Sequence, residues 1–203
     1  DGDVAIQYQV HRDLLGQERP DLRARIAAEG WGAQFLAARQ PAGHWGRWFY
    51  QPKWTSTHYT LLDLRHLCIA PDHALIRESI VYVLTHHKGV DGGVNPQKTT
   101  TDSDVCVAGM ALNYACYFGA AAELLASVVD YILAQQMADG GFNCERDRCG
   151  ARHSSLHSTI SVLEGILEYL RQGYAYSAAE LAQAAAEARE FIMQQRLYKS
   201  DRN

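Results

Sequence analysis

A repeat of about 49 residues constrains the fold of this chain more than any other sequence feature. Three glycine-rich turns mark the repeat: Gly43-His44-Trp45, Gly92-Gly93-Val94 and Gly141-Phe142-Asn143. The steps from Trp45 to Val94 and from Val94 to Phe142 are 49 and 48 residues. An amphipathic helical segment precedes each turn, and a more apolar helical segment follows it. Because two helices per repeat are the unit of stacked helical hairpins, the sequence predicts an all-α repeat fold.

The two helices of each repeat differ in composition, and this difference predicts which of them is enclosed. The second helices start near Thr55, Ser103 and Ser155, are apolar on nearly every face, and should lie inside. Their partners over 72–87 and 120–138 carry more charge and should cover them. We expect the inner helices to run side by side and roughly parallel, as the inner layer of a toroid or a solenoid.

The repeats extend over residues 1–203, which predicts one domain of three complete hairpins and two half units. The half units are Val4–Leu15 and Ser177–Leu197, and Ser177 with Glu180 predicts a capping box at the start of the last helix. A terminal repeat exposes an apolar side unless a polar cap covers it. Since the sequence shows no such cap, we expect an apolar flank on the last helix. A missing C-terminal region or a partner chain would cover that flank and complete the ring.

Charge and hydropathy argue against several classes of protein. The net charge is −4, whereas nucleic-acid binders normally carry a basic patch or stripe. No uninterrupted apolar run reaches about 18 residues, so no transmembrane segment is predicted. The first residues are acidic and polar, unlike a secretory signal, so the expected location is cytoplasmic.

Superposing the repeats on their inner helices brings three potential metal ligands together. The superposition aligns two sets of residues, Thr55, Asp104 and His157 at one position and Thr57, Cys106 and Thr159 at the other. Equivalent positions of successive hairpins lie at the same mouth of a ring, so Asp104, Cys106 and His157 should meet in space. A carboxylate, a thiolate and an imidazole are zinc ligands, and three of them leave one position open for a substrate.

Two motifs resemble those of the terpenoid cyclase and protein prenyltransferase superfamily, whose fold is an α/α toroid. The Gln-x-x-x-Gly-Gly-Phe pattern of its repeat matches Gln136 to Phe142. In the prenyltransferases an Asp-x-Cys and a His on the next inner helix hold a catalytic zinc ion, and Asp104-Val-Cys106 and His157 match them. The resemblance implies an isoprenoid-processing enzyme with an apolar isoprenoid substrate and zinc as cofactor. It also implies that Lys98 is the basic residue that contacts a diphosphate.

The same stretch supports a second enzymatic interpretation. Class II terpene cyclases protonate an alkene or an epoxide with the middle Asp of Asp-x-Asp-Asp, and Asp102-Ser-Asp104 keeps two of these carboxylates. Asp104 would then be a general acid that needs no metal, with Asp102 beside it. Aromatic side chains stabilise carbocations or simply pack in a core, and they cluster at Trp45, Trp48, Phe49, Tyr50, Trp54 and Tyr59.

Structural roles explain these residues without any chemistry. Asp104 and His157 stand where a side chain caps a helix, and Cys106 suits an apolar core. A toroid also serves as a non-catalytic binding scaffold, so the enzymatic and scaffold hypotheses both stay open.

The five cysteines form a second pattern in the sequence. In a chain without a secretory signal they are expected to be free thiols or ligands rather than a disulfide framework. Cys144, Cys149 and His153 share one loop just before His157. This loop is a structural metal site, a disulfide, or an ordinary loop.

Overall fold

The computed structural model describes residues 2–97, 99 and 101–199, and its regular structure is helical. Within these residues no β-strand forms, and Lys88 and Val94 make one isolated antiparallel bridge at the second glycine turn. The prediction of an all-α fold is confirmed. None of the helices in the described part is both long and apolar enough to cross a membrane.

The helices follow the order that the repeat predicts. They are α1 (Val4–Gln9), continued by a π-helical turn (Val10–Leu14), α2 (Pro20–Arg25), α3 (Gly30–Ala37), α4 (Thr57–His66), α5 (Ala74–His86), α6 (Val105–Tyr117), α7 (Ala122–Ala134), α8 (Arg146–Cys149), α9 (Leu156–Arg171) and α10 (Ala178–Gln194). The predicted inner helices correspond to α4, α6 and α9, each of which begins within two residues of the predicted start. The chain divides into two compact units, Asp1–Tyr82 and Val83–Asn203, with the boundary inside α5.

The three glycine turns share one backbone frame. Each is closed by a backbone hydrogen bond, from Gln40 N to His44 O (2.9 Å), from Gly89 N to Gly93 O (3.0 Å) and from Met137 N to Gly141 O (3.0 Å). Each also contains a glycine in the left-handed region, namely Gly43, Gly92 and Gly140, with φ of 89°, 88° and 87°. The predicted repeat is therefore confirmed at the level of the turns.

In the second unit, an aspartate in each of the two glycine turns accepts hydrogen bonds from the serine that precedes the inner helix. Asp91 accepts hydrogen bonds from the N–H (2.9 Å) and the hydroxyl (2.6 Å) of Ser103. Asp139 accepts the same pair of bonds from Ser154, with 2.9 Å to its N–H. Helices α6 and α9 each begin two residues after the serine. The turn thus fixes where each inner helix starts.

Helices α6 and α9 lie side by side and parallel, as predicted for neighbouring inner helices. Their backbones approach closely, because a Cβ atom on Gly165 would lie 2.3 Å from the carbonyl oxygen of Gly109. Asn113 of α6 donates a hydrogen bond to the carbonyl of Glu164 in α9 (2.9 Å). The segments just beyond the two C-terminal ends are joined by a hydrogen bond from the Tyr174 hydroxyl to Ala120 O (2.6 Å).

Two expectations for the last helix, α10, need correction. Ser177 does not form a capping box, because its backbone is left-handed (φ 48°) and its side chain makes no capping hydrogen bond. The apolar residues of α10 face inward, and its exposed residues are mainly glutamate, glutamine, arginine and alanine. The large apolar residues that stay exposed here are Met193 on α10 and Leu197 and Tyr198 just after it, at 64%, 61% and 75%.

Candidate functional site

Asp104 is a buried carboxylate at the N-terminus of α6 that does not cap the helix. It occupies the N-cap position, yet its side chain makes no hydrogen bond to the first amides of α6. The residue is 8% exposed, and its Oδ1 lies 3.3 Å from Nη2 of Arg148. Since a capping role requires the missing hydrogen bonds, that explanation of Asp104 does not hold.

The surroundings of Asp104 favour its protonated form. Burial raises the pKa of the carboxyl to about 6, because desolvation penalises the charged form. The positive charge of Arg148 acts in the opposite direction, and the charge of Cys144 raises the pKa further. Near neutral pH, a carboxyl of this kind is present in both protonation states and can transfer protons in either direction.

A pair of cysteines lies beside Asp104. Cys106 is the second residue of α6, and Cys144 follows the third glycine turn. The interaction with the Cys144 thiol and burial both raise the pKa of Cys106. The interaction with Cys106 lowers the pKa of Cys144, and Ser158 and Arg148 act in the same direction.

The segment between Asn143 and His153 positions Cys144 and Arg148. Asn143 closes it at both ends, since its Oδ1 accepts from Glu145 N (2.9 Å) and its Nδ2 donates to His153 O (2.8 Å). The short helix α8 lies within the segment and ends at Gly150, whose φ is 66°. Cys144 N donates to the hydroxyl of Ser158 on α9 (3.1 Å). The loop is therefore attached to α9, the helix that packs against α6, and Asp104 lies at the start of α6.

His157 does not join this group. Asp104 N donates to Val94 O and Ser155 N donates to Phe142 O, so the structure matches Asp104 with Ser155. The predicted superposition, which matched Asp104 with His157, is thus wrong by two residues. Two residues correspond to about 200° around an α-helix, so the side chain of His157 points to the face of α9 opposite to the one predicted. His157 is accordingly exposed.

The other predicted site residues are dispersed. Asp102 is exposed, and its carboxylate accepts a hydrogen bond from the hydroxyl of Thr101 (3.4 Å). Lys98 lies outside the described residues. Cys149 and His153 are exposed, whereas Cys144 of the same loop is half-buried.

The predicted ligands do not form a set that fits zinc. Asp104 and Cys106 are neighbours, but His157 lies apart from them. Among the described residues, no three His, Cys, Asp or Glu side chains are arranged to hold a metal ion. The zinc site consequently stays a prediction, and the arrangement observed is a carboxyl, two thiols and a guanidinium.

The aromatic residues near the first glycine turn divide into core and surface. Trp45 and Phe49 are buried, and Trp45 Nε1 donates to Phe35 O (2.6 Å). The ring of Tyr59 lies 4.9 Å from that of Trp54 and 5.2 Å from that of Tyr50. Trp54 is 70% exposed. Hydrophobic packing accounts for the buried members of the cluster.

Comparisons with known proteins do not assign the chain to a family. No family model matches it, and searches of curated proteins and of solved structures found no significant match. The residues of the site and the sequence resemblance are therefore the basis for a function.

Proposed function

We propose that this chain is an isoprenoid-processing enzyme in which the carboxyl of Asp104 transfers a proton to or from the substrate. The observation that carries the proposal is the burial of Asp104 without a capping role. Carboxylates are seldom buried unless they are paired, and Arg148 at 3.3 Å is the described partner of Asp104. A group held in this way is costly for the fold, and such groups cluster at functional sites.

The class of substrate comes from the sequence resemblance. Asp102-Ser-Asp104 resembles the acid motif of the class II terpene cyclases, and Gln136 to Phe142 resembles the repeat motif of the superfamily. In those enzymes a protonated aspartic acid adds its proton to a double bond or an epoxide of an isoprenoid. The raised pKa of Asp104 supports this role, since it populates the protonated form at a higher pH than an ordinary aspartate allows.

The test compares two neighbouring carboxylates. The full chain would be incubated with squalene, 2,3-oxidosqualene and geranylgeranyl diphosphate as separate probes, and products would be identified by mass spectrometry. Removing a general acid costs about 100-fold or more in rate, so Asp104→Asn should abolish most of the conversion. Asp102→Asn is the comparison variant: Asp102 is the exposed carboxylate of the same motif, so a loss much larger in Asp104→Asn would assign the proton transfer to the buried carboxyl.

Two results would count against the proposal. If Asp104→Asn converts the probes as fast as the wild type, Asp104 is not the proton-transfer group. If the probes bind to the wild type but remain unchanged, the chain is a binding scaffold rather than an enzyme.

A further inference from the structure

Three aromatic side chains form a continuous surface, the aromatic platform, at the start of α4 and in the loop before it: Tyr50, Trp54 and Tyr59. The ring centroids of Trp54 and Tyr59 lie 4.9 Å apart, and those of Tyr59 and Tyr50 lie 5.2 Å apart. Tyr50 and Tyr59 are half-buried, whereas Trp54 is 70% exposed. Because the rings touch each other, they leave no slot between them, and a ligand would stack on their exposed surface.

Trp54 has a backbone conformation that tryptophan rarely adopts. It is the third residue of a turn closed by a hydrogen bond from Thr55 N to Pro52 O (3.4 Å), and its φ is 73°. A turn position with positive φ favours glycine or asparagine, and a bulky side chain is strained there. The exposed ring offsets little of that strain through burial. Such strain clusters at functional sites, so binding of a ligand explains why a tryptophan occupies this position.

A buried histidine supports the platform. The His58 ring is fully buried and lies 5.3 Å from the Tyr50 ring and 5.2 Å from the Tyr59 ring. The backbone N–H of His58 donates to Phe49 O (3.0 Å), which fixes the loop that carries Tyr50 to the first turn of α4. Burial lowers the pKa of His58 to about 3, so its ring is neutral near neutral pH. The support is therefore rigid and uncharged.

Two cations accompany the platform. The stretch from Gly43 to Leu62 contains Arg47 and Lys53, both exposed, and no Asp or Glu. Lys53 Nζ lies 6.0 Å from the Tyr50 ring centroid, and Arg47 N donates to Gln51 O (3.1 Å) in the turn that carries Tyr50. In the part of the chain that the structure describes, neither cation forms an ion pair. The local charge is thus positive in a chain whose net charge is −4, and it complements an anion.

We propose that the aromatic platform binds a nucleotide, with the base stacked on Trp54 and the phosphate near Lys53 and Arg47. A nucleobase has a flat π-face that stacks on aromatic side chains, and a phosphate supplies the negative charge that these two cations attract. A neutral sugar also stacks on aromatic rings but offers the cations no opposite charge, and an organic cation is repelled by them. The site lies within the unit Asp1–Tyr82, and the proposal is independent of the reaction proposed for Asp104.

Calorimetric titration of the full chain tests the two contacts separately. Adenosine monophosphate (AMP) is the probe, adenosine is the matched probe without a phosphate, and ribose 5-phosphate is the matched probe without a base. We expect AMP to bind about tenfold or more tightly than either fragment, because each fragment makes only one of the two contacts. Added salt should weaken the binding of AMP and leave that of adenosine unchanged, because salt screens only the phosphate contact.

Variants assign the contacts to residues. Trp54→Gly should weaken AMP binding about tenfold or more, and it should not lower the free energy of unfolding, because glycine accepts a φ of 73°. Trp54→Phe should keep most of the affinity, since it retains an aromatic ring. Lys53→Gln should weaken the binding of AMP but not that of adenosine. Trp31→Ala is the matched control, because Trp31 is also exposed, at 57%, and lies on α3 outside the platform.

Three results would overturn the proposal. They are a wild type that does not bind AMP, an AMP affinity that is equal in the wild type and Trp54→Gly, and tighter binding of a neutral oligosaccharide such as cellotetraose than of AMP. Far-UV circular dichroism verifies that each variant is folded. None of these results bears on the conversion of isoprenoid probes by Asp104.

Discussion

Replacing Asp104 by asparagine should stabilise the protein at alkaline pH. The folded-state pKa of Asp104 is about 6, above its ordinary value of 3.8, because the carboxyl is buried. The protonated Asp104 carboxyl therefore makes its full contribution to the free energy of unfolding below about pH 3.8, and that contribution is lost as pH rises through about 6. Asparagine has nearly the same shape and never ionises, so it avoids this loss.

The size of the effect follows from the pKa difference. A pKa that rises from 3.8 to about 6 corresponds to about 3 kcal/mol at most. The Asp104 side chain is 11% exposed and that of Arg148 is 34% exposed. Solvent therefore screens the charge of Asp104 in part and reduces the cost of ionising it. After discounting for that screening, we expect Asp104→Asn to raise the free energy of unfolding by about 1–2 kcal/mol at pH 8.

Urea unfolding followed by circular dichroism measures this difference. The wild type and Asp104→Asn should have nearly equal stability at about pH 4 and should diverge by about pH 8. Asp102→Asn should follow the wild type at both pH values, because Asp102 is exposed. If Asp104→Asn instead lowers stability by a similar amount at both pH values, Asp104 is a structural residue and the reasoning fails.

Three further substitutions test the frame of the site. Gly165→Ala places a Cβ 2.3 Å from Gly109 O and should lower the free energy of unfolding by about 1–3 kcal/mol, measured in urea. Thr159→Val removes the hydroxyl that accepts from the buried Phe142 N–H (3.0 Å), and should cost about 1–3 kcal/mol by the same measurement. His157→Ala should leave the zinc content of the purified protein unchanged, since His157 is exposed and apart from Asp104. Elemental analysis checks this, and a large loss of zinc would restore His157 as a ligand.

The helices and turns could be predicted from the sequence because their signals are local. Apolar periodicity and the glycine turns located α4, α6 and α9 within two residues. The capping box at Ser177 was wrong because a motif of four residues does not specify the backbone, and Ser177 adopts a left-handed conformation there. Local sequence patterns thus predicted the positions of the helices better than the capping interactions at their ends.

The register between repeats could not be predicted from helix composition alone. Apolar helices can be superposed in several registers, and a shift of two residues still places apolar residues on apolar residues. The hydrogen bonds from Ser103 to Asp91 and from Ser154 to Asp139 decide the register. The second and third glycine turns each contain an Asp that is followed by a Ser before the inner helix, and this signal was present in the sequence.

The contact of Asp104 with Arg148 and the cysteine pair depend on the path of a loop. Helix α8 and the hydrogen bonds of Asn143 bring Cys144 and Arg148 to the start of α6. Neither residue has a periodic pattern, and no spacing motif joins them to Asp104. Asp104 and Cys106 could be predicted from the sequence, whereas their neighbours Arg148 and Cys144 are brought to them by the tertiary structure.

The pH dependence of probe conversion decides whether Asp104 is the proton donor. If Asp104 donates the proton, the rate at saturating probe should fall as pH rises through about 6, the pKa of its carboxyl. Asp104→Asn should have a residual rate that lacks this transition. A wild-type rate that does not change between about pH 5 and pH 8, or a transition that persists in Asp104→Asn, would contradict the account.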